Sequence, residues 1–321
     1  MTKVLVITNK TDLTSDLIVS RLKKRNISFY RLNTEELFKS CFLTLDFGQD
    51  SFFIFDSALN RKIDLREFSA VYFRRPKLPQ VDIDVLSQEE NLFLRKETYY
   101  VLEGVYKLLR GLYWVSPIHA IREAENKIYQ LSLARRIGFI VPNSIITNIY
   151  EDAIDFYNKN DADCIIKPIK TGLVESSEKS MVLFTSKLKK KPERGQVESI
   201  PVFLQNNVNK MCDVRVTMVG EKAFAVSIDS QSEEISSIDW RRADFPLKHT
   251  RIELPDEIVE KSITLLRTLN LKFGALDFIL DANGNFIFLE INPNGQWAWI
   301  EKEVGYEISN EIVNLLEYEY F

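Results

Sequence analysis

The chain has 321 residues, of which 45% are hydrophobic and 27% are charged, and its formal net charge is −4. This length exceeds what one ordinary hydrophobic core organises, so two or three substructures are expected. The negative charge argues against a broad nucleic-acid-binding surface, and no apolar run approaches the ~20 residues of a membrane span. We therefore expect neither nucleic acid nor a membrane as a partner.

Histidine and cysteine are scarce. His119 and His249 are the only histidines, and Cys41, Cys164 and Cys212 lie far apart without the spacing of metal ligands. A His-rich zinc site and a serine-type triad are thereby almost excluded. Reduced thiols, and an N-terminus that enters a strand without a signal peptide, predict a cytoplasmic protein. The chemistry must then depend on carboxylates, lysines, arginines and amides.

The first part of the chain, 1–117, has the pattern of an α/β domain. A strand, a helix capped by Thr11 or Thr14 and a second strand form a β-α-β unit, which lacks the GxGxxG phosphate loop. Strands are predicted at 4–8, 27–32, 42–47, 51–55 and 69–74, and helices at about 11–25 and 87–110. Arg74 and Arg75 end the last strand. They either recognise an acidic peptide or form salt bridges within the domain.

The central part, 118–200, is predicted to mix helices and short strands. Helices are expected at 120–137, closed by Gly138, and at 151–159, with strands at 139–147, 163–167 and 180–185. Lys170-Thr171-Gly172 forms a flexible turn. The charged segment 187–195 is either a solvated connector or a mobile cover for a bound anion.

The last part, 201–321, carries two predicted hairpins. The expected elements are a strand at 200–205, a polar linker at 206–210, a hairpin at 213–229 that turns at Gly220, a loop at 239–242, a helix at 255–270, a second hairpin at 273–292 and a helix from about Ile308.

The second hairpin is predicted to hold a metal. Asn283-Gly284 favours a two-residue turn with positive φ at both positions, and the resulting register places Asp277 opposite Glu290, with Asn292 on the same face. Residues 273, 275, 279, 286 and 288 would share that face, and residues 276, 278, 280, 287, 289 and 291 the other. Facing carboxylates in apolar surroundings repel unless a cation separates them, and oxygen ligands suit Mg²⁺ or Mn²⁺. The alternative is a half-exposed strand that happens to carry two acids.

Several cationic side chains could meet an anion near this hairpin. Lys127 lies on a helix, and Lys167 ends an apolar strand, where its ammonium could reach a phosphate; each alone could also be a surface lysine. Asp213 and Arg215 share one face of a strand, either as a structural ion pair or with Arg215 touching a phosphate or carboxylate. Arg241 could clamp a second anion or stack on Trp240.

The order of these residues resembles that of ATP-grasp enzymes. Lys127, IIKP with Lys167, DVRV, LDF with Asp277 and LEIN with Glu290 follow the pattern of that superfamily over about 120–321. More narrowly, VYFRRP, IDWRR and EINPNGQWAWIE resemble the ligases that macrocyclise ribosomally made peptides, the graspetide (microviridin-type) maturases. The chain is thus identified as a suspected member of that group.

The resemblance implies an α/β protein with the ATP-grasp fold: an N-terminal α/β domain, a central α+β domain and a C-terminal domain, with ATP between the last two. Lys127 and Lys167 would contact phosphates, and 205–208 would form the hinge beside adenine. The family often has Gln-Glu at this hinge, whereas this chain has Gln205-Asn206, followed by Val208. Backbone groups could substitute for the missing carboxylate.

The resemblance also implies a reaction. Two Mg²⁺ ions, or Mn²⁺, would bridge Asp277, Glu290 and Asn292. Arg215 with Asp213 would stabilise the charge that develops during the reaction. Arg241 would orient the acidic side chain of the substrate. ATP would phosphorylate an Asp or Glu of a precursor peptide, and a Ser, Thr or Lys of the same peptide would attack. Arg74, Arg75 and Asn294 are candidate substrate contacts, and the amides of 292–297 could order the metal shell. A homodimer is expected.

Two other functions share these residues. A RimK-like carboxylate-amine ligase acting on another protein or a small molecule would use the same ATP site. A non-catalytic ATP-binding regulator would have kept the fold alone, although the complete set of Lys, Arg and acidic residues argues against it.

Overall fold

The computed structural model describes residues 2–79, 85–170, 173–175 and 180–318 of the chain. These residues divide into two compact units. Unit 1 comprises 1–121, 270–273 and 294–321, and unit 2 comprises 122–269 and 274–293. The C-terminal segment therefore belongs with the N-terminal domain, whereas the boundaries at 117 and 200 stay a prediction. Within the described ranges, no helix has both the length and the apolar character needed to cross a membrane.

Unit 1 is built on a parallel sheet and a small antiparallel sheet. Its elements are β1 (Lys3–Thr8), α1 (Leu13–Lys24), β2 (Ser28–Asn33), β3 (Cys41–Asp46), β4 (Ser51–Asp56), β5 (Arg61–Asp64), β6 (Ala70–Phe73), α2 (Gln88–Leu108), β7 (Tyr113–Val115) and the start of α3 (Ile118–Ala124). The parallel sheet has the order β2-β1-β6-β7, and β3, β4 and β5 form the antiparallel sheet. The predicted β-α-β unit is confirmed, and β5 is an additional strand.

Unit 2 contains two larger sheets. Its elements are α4 (Lys127–Ile137), β8 (Ser144–Thr147), α5 (Tyr150–Lys159), β9 (Cys164–Lys167), β10 (Leu173–Glu175), β11 (Ser180–Val182), β12 (Ser186–Lys187), α6 (Arg194–Ser199), β13 (Val202–Asn206), β14 (Lys210–Val219), β15 (Lys222–Ile228), β16 (His249–Arg251), α7 (Asp256–Thr268), β17 (Phe273–Asp281) and β18 (Phe286–Asn292). Their orders are β12-β9-β13-β8 and β16-β15-β14-β17-β18, and β10 pairs with β11. The chain then returns to unit 1 through α8 (Ala298–Val304) and α9 (Ile308–Tyr318).

The single helix predicted at 120–137 is wrong, because the chain breaks it into α3 and α4. Asn126 adopts an extended conformation and its side chain accepts a hydrogen bond from the Tyr129 amide, which starts a new helix. Lys127 therefore opens α4 instead of lying in mid-helix. Gly138 closes α4 in the left-handed conformation at φ 97°, as expected.

Three other predictions of elements need correction. The strand expected at 139–147 is confined to β8, the strand expected at 180–185 ends at Val182, and α6 begins inside the segment that was predicted as a loop. The turn predicted at Lys170-Thr171-Gly172 falls partly outside the described residues, since 171–172 are not described.

Candidate active site

The hairpin of β17 and β18 brings the predicted acidic residues together. Asp277 pairs with Glu290 and Ala275 pairs with Asn292, as expected from the sequence. The predicted turn, however, is wrong: of its residues only Gly284, at φ 82°, has a positive φ. The Asp281 carboxylate accepts hydrogen bonds from the amides of Asn283 and Asn285 and so organises a longer loop.

A β-bulge reconciles this longer loop with the predicted acidic pair. On the loop side of the bulge the last pair is Phe278 with Phe288, and the register then shifts so that Asp277 pairs with Glu290. Leu289 is the extra residue, and it lines the same cavity as Glu290. The predicted placement of Leu289 on the opposite face is therefore wrong. Residues 286–288 are misplaced too, because their pairing beyond the bulge puts each of them on the face opposite to the predicted one. Phe288, for example, packs edge-on against Phe278 at 5.7 Å between ring centroids.

The acidic pair borders a cavity of about 450 Å³ within unit 2. Its walls come from the start of α4, the end of β9, the segment 182–185, the strands β13, β14, β17 and β18, and the loop 238–241. The predicted site residues among its lining are Lys127, Lys167, Gln205, Asp213, Arg241, Asp277, Glu290 and Asn292. The structure thus brings together side chains that lie up to 165 positions apart along the chain.

Each carboxylate of the pair is held by a cationic side chain. Arg215 donates to Asp277 through Nε at 2.6 Å and through Nη2 at 3.1 Å, a two-pronged contact. Lys127 Nζ lies 2.9 Å from Glu290 Oε2. Arg215 and Lys127 thereby supply positive charge at the place where the sequence predicted a metal ion.

The two carboxylates are electrostatically different. Burial raises the pKa of Glu290, but the charges of Lys127 and Lys167 outweigh burial and bring the pKa down to about 2. Burial raises the pKa of Asp277, and the charge of Glu290 adds to this effect against the opposing charge of Arg215. A further cation between the carboxylates would stabilise both as anions.

Lys167 lies at the end of β9 in the same cavity. Its Nζ is 3.5 Å from Gln205 Oε1 and 5.4 Å from the centre of the Phe203 ring. Burial lowers the pKa of the Lys167 ammonium, and the charges of Lys127 and Arg241 act in the same direction, while Glu290 opposes them. A partly desolvated ammonium that borders the cavity is suited to receive an anionic ligand.

The segment predicted to flank adenine lies only partly at the cavity. Gln205 is buried, and its amide donates to Ser144 Oγ at 2.9 Å. Asn206 pairs with Cys164 in the β9–β13 ladder. Neither Asn206 nor Val208 is among the described residues that line the cavity. Their role as adenine contacts stays a prediction.

Asp213 and Arg215 do not pair with each other, although they share one face of β14. Asp213 is buried and lies 2.6 Å from the buried Lys210 Nζ, whereas Arg215 reaches Asp277 on β17. Lys210 also donates to the Ile238 carbonyl at 3.3 Å. Burial raises the pKa of Asp213, and Lys210 opposes the rise. Lys210 thus connects the start of β14 to the loop that carries Arg241.

Arg241 is held by Asp239 in the cavity wall. Its Nε and Nη2 donate to the two oxygens of Asp239 at 2.8 and 2.7 Å. The hydrogen bonds from Asp239 raise the pKa of Arg241, so the guanidinium stays charged. Arg215 lies over the Trp240 ring, at 5.6 Å from its centre. Fixed in this way, Arg241 presents the rest of its guanidinium to the cavity.

The remaining predicted substrate residues lie in unit 1. Arg74 is only 2% exposed, and its Nε lies 3.3 Å from Asp12 Oδ2. It also donates to the Gly295 carbonyl at 3.1 Å and to Gln296 Oε1 at 2.7 Å. Arg75 donates to the Asn294 carbonyl at 3.1 Å. This geometry favours the salt-bridge interpretation for Arg74, and the substrate role of Arg75 and Asn294 stays a prediction.

Sequence reasoning missed several residues of the site. Gln130, Lys210 and Leu289 gave no separate signal, because their roles depend on which strands become neighbours. Glu125 precedes the helix cap and lines the cavity, and burial raises its pKa against the charges of Lys170 and Arg122. Asn126 could have been recognised, since an Asn before a helical pattern is a common start signal.

The donor set fits a magnesium ion. Asp277, Glu290 and Asn292 offer two carboxylates and an amide, the oxygen ligands that hard divalent cations prefer. Across the described part of the chain, no three His, Cys, Asp or Glu side chains form a metal-binding group. Water and phosphate oxygens would therefore have to complete the coordination of any ion bound here.

Comparison with known protein families assigns the class. The MvdD pre-ATP grasp domain matches residues 3–122, and the RimK-like ATP-grasp domain matches residues 124–316. The second match covers more than half of the chain, which therefore belongs to the RimK-like ATP-grasp family and is an ATP-grasp ligase. The predicted fold class and superfamily are confirmed. No curated protein sequence matches the chain.

Solved structures of peptide-modifying enzymes resemble the whole chain. The macrocyclase MdnC from Microcystis aeruginosa MRC, bound with precursor peptide MdnA, is 26% identical, with 98% of this chain and 99% of that chain covered and a TM-score of 0.85. A RiPP-associated ATP-grasp ligase from Chryseobacterium gregarium, in complex with ADP and a leader and core peptide, is 26% identical over 98% and 96%, with a TM-score of 0.88. The macrocyclase MdnB from Microcystis aeruginosa MRC is 26% identical over 99% and 100%, with a TM-score of 0.81.

Proposed function

We propose that this ligase uses ATP to activate Asp or Glu side chains of a ribosomal precursor peptide and closes macrocyclic esters or amides within that peptide. The observation that supports this most is the cavity in which Asp277 and Glu290 face each other beside Lys127, Lys167 and Arg241. Its likeness to enzymes crystallised with precursor peptides favours a peptide as the substrate.

The first half-reaction transfers the γ-phosphoryl group of ATP to a peptide carboxylate. The bond between the γ-phosphorus and the β,γ-bridging oxygen breaks, a bond from phosphorus to the carboxylate oxygen forms, and ADP leaves. Lys127 and Lys167 bind phosphate oxygens, and Arg241 orients the acidic side chain of the substrate. Mg²⁺ held by Asp277, Glu290 and Asn292 would neutralise phosphate charge.

The second half-reaction closes the ring. A Ser or Thr hydroxyl, or a Lys amine, attacks the acyl carbon, inorganic phosphate leaves, and the nucleophile loses a proton to the medium. Arg215 is held by its two bonds to Asp277 and is not itself among the described residues that line the cavity. In this proposal it stabilises the negative charge that develops on the acyl oxygens. Each ring costs the peptide one water.

Several finer features belong to the same proposal. The enzyme recognises a leader and an acidic core of the peptide, and acts in the cytoplasm as a homodimer without nucleic-acid or membrane partners. Reduced Cys41, Cys164 and Cys212 support this location, since all three are free thiols. Two Mg²⁺ ions are proposed, and Mn²⁺ is the alternative, because it prefers the same oxygen ligands.

A RimK-like carboxylate-amine ligase is the second candidate, favoured by the family match over 124–316. It would join an amino acid or another amine to a separate acceptor, and the mass of that acceptor would rise. Ring closure instead lowers the mass of the peptide by one water for each bond.

Co-expression with a candidate precursor peptide, followed by mass spectrometry, tests the proposal. The wild-type enzyme should yield peptide masses that fall in steps of one water, and Glu290→Gln should yield the unmodified mass while its circular dichroism stays native. The matched control is the exposed Glu257→Gln on α7, which should dehydrate the peptide normally. Normal dehydration by Glu290→Gln, or a mass gain with the wild-type enzyme, would contradict the proposal.

A further inference from the structure

We propose that Gln130 is a positioning residue for the metal-binding strand: its side-chain amide holds the backbone of Ile291 and thereby sets the side chains of Glu290 and Asn292. This inference rests on the proposed function, because it assigns Gln130 to the same metal and ATP site. Gln130 lies on α4, one turn after Lys127.

The amide of Gln130 contacts Ile291 as a neighbouring strand would. The Ile291 N–H donates to Gln130 Oε1 at 3.0 Å, and Gln130 Nε2 donates to the Ile291 carbonyl at 2.8 Å. β18 is the last strand in its sheet order, so its outer edge presents backbone groups that need partners. Gln130 provides hydrogen-bond partners for the edge at Ile291. The Ile140 carbonyl provides another partner by accepting from the Phe288 amide at 2.8 Å.

The residue held by Gln130 lies between the two proposed ligands. Glu290 and Asn292 flank Ile291, and side chains two apart on a strand project to the same face. Both line the cavity. Hydrogen bonds to the Ile291 peptide groups therefore restrict the backbone that carries Glu290 and Asn292. Residues that hydrogen-bond around a metal site in this way orient the metal ligands.

The same helix face carries the contact to the acidic pair. Residues three apart on a helix are neighbours, so Lys127 and Gln130 approach β18 together. Lys127 contacts the Glu290 carboxylate, and Gln130 contacts the next residue through its backbone. One turn of α4 thus fixes both the side chain and the main chain of the strand.

Burial of this amide needs a reason beyond packing. Gln130 is only 2% exposed, and its Nε2 donates to the Ala124 carbonyl at the end of α3 as well as to Ile291. A methionine or leucine would fill similar space without the cost of removing an amide from water. The hydrogen bonds to backbone groups are what only an amide of this length supplies.

The test is the dependence of ADP binding on MgCl₂, measured by isothermal titration calorimetry for the full chain. Gln130→Met keeps the length of the side chain and removes all its hydrogen bonds. We expect the MgCl₂ concentration that half-maximally tightens ADP binding to rise by about 10- to 100-fold, the range typical for the loss of an outer partner of metal ligands. ADP affinity in EDTA should stay within about twofold of the wild type, because the nucleotide contacts themselves are untouched.

Leu133→Ala is the matched control. Leu133 is buried one turn further along α4, so its truncation lowers the melting temperature without touching β18 through a hydrogen bond. It should leave the MgCl₂ dependence of ADP binding unchanged. An equal shift in both variants, or an unchanged MgCl₂ dependence in Gln130→Met, would overturn the inference, because the role of Gln130 would then be structural only.

Gln130→Asn keeps the test decisive if Gln130→Met does not fold. It retains the amide but shortens the side chain by one methylene, so the amide no longer reaches both backbone groups of Ile291. The MgCl₂ dependence of ADP binding should shift in the same direction as in Gln130→Met. An unchanged dependence contradicts the inference.

Failure of the proposed function gives a different pattern. If ADP binding by the wild type does not respond to MgCl₂, or if Glu290→Gln responds to MgCl₂ as the wild type does, then the metal site itself is misassigned. If Glu290→Gln loses the response while Gln130→Met retains it, only the role of Gln130 is wrong.

Discussion

At the scale of single residues, the surroundings of Lys167 favour its proposed role as a contact for an anion. It sits at the end of a buried strand, near Gln205 and the Phe203 ring, and burial lowers its pKa. Sequence reasoning selected Lys167 because a lysine at the end of an apolar strand places its ammonium where it could reach a phosphate. Its surroundings could not be predicted, since they depend on the pairing of β9 with β13.

The pH dependence of ATP binding tests this role of Lys167. Since its pKa is lowered from the ordinary value of 10.5, the ammonium loses its proton at a lower pH than an exposed lysine would. We expect the Kd for ATP to increase as the pH rises from 8 to 10. Lys167→Arg should flatten this increase, because a guanidinium stays charged over that range. Equal increases in both proteins, measured by calorimetry, would exclude Lys167 as the titrating contact.

The partners of the charged residues were the least predictable feature at this scale. Asp213 and Arg215 share a strand face, which suggested that they pair with each other. Arg215 instead reaches across to β17, and Asp213 takes Lys210. Spacing along one strand predicts which face a side chain occupies, but the neighbouring strand decides its partner.

At the scale of elements, the pairing of the acidic residues in the β17–β18 hairpin was predicted correctly, whereas its turn and the register next to the turn were predicted wrongly. Asn283-Gly284 marked a turn, and Asp277 does face Glu290. The loop is longer than predicted because the Asp281 side chain binds two of its amides, and the bulge at Leu289 compensates. A bulge residue carries no sequence mark of its own when it is an ordinary apolar residue, so this correction required the structure.

The bulge makes a prediction about Leu289. Leu289 lines the cavity as the extra residue of the ladder, so Leu289→Ala should weaken ATP binding by about 5- to 30-fold, as expected for about 1–2 kcal/mol of lost apolar contact. Leu280→Ala is the control, since Leu280 is also half-buried on this hairpin but does not line the cavity among the described residues. Equal losses of affinity, measured by calorimetry, would argue against a ligand over the bulge.

At the scale of the whole molecule, the C-terminal segment completes unit 1. α9 packs against α1, and Arg25, which directly follows α1, donates to Asn314 Oδ1 at 2.7 Å. Gln296 accepts from Thr14 and from Arg74. The sequence marked NPNGQW as distinctive, but its place in unit 1 could not be predicted, because no local pattern reveals a contact more than 200 residues away.

Two adjacent arginines test this assembly. Arg74→Met leaves the buried Asp12 without its cation and should lower the free energy of unfolding by about 3–5 kcal/mol, the usual cost of breaking a buried ion pair. Arg75→Met removes an exposed hydrogen bond to the Asn294 carbonyl and should change that free energy by less than about 1 kcal/mol. Urea unfolding of both variants distinguishes them, and similar small losses would mean that Arg74 does not anchor the C-terminal segment.

The most direct test of the central claim is a crystal structure with Mg²⁺ and a non-hydrolysable ATP analogue. We expect metal ions bound by Asp277, Glu290 and Asn292, with phosphate oxygens against Lys127 and Lys167. Nucleotide bound without an ion beside these carboxylates, or bound outside the cavity of unit 2, would contradict the account.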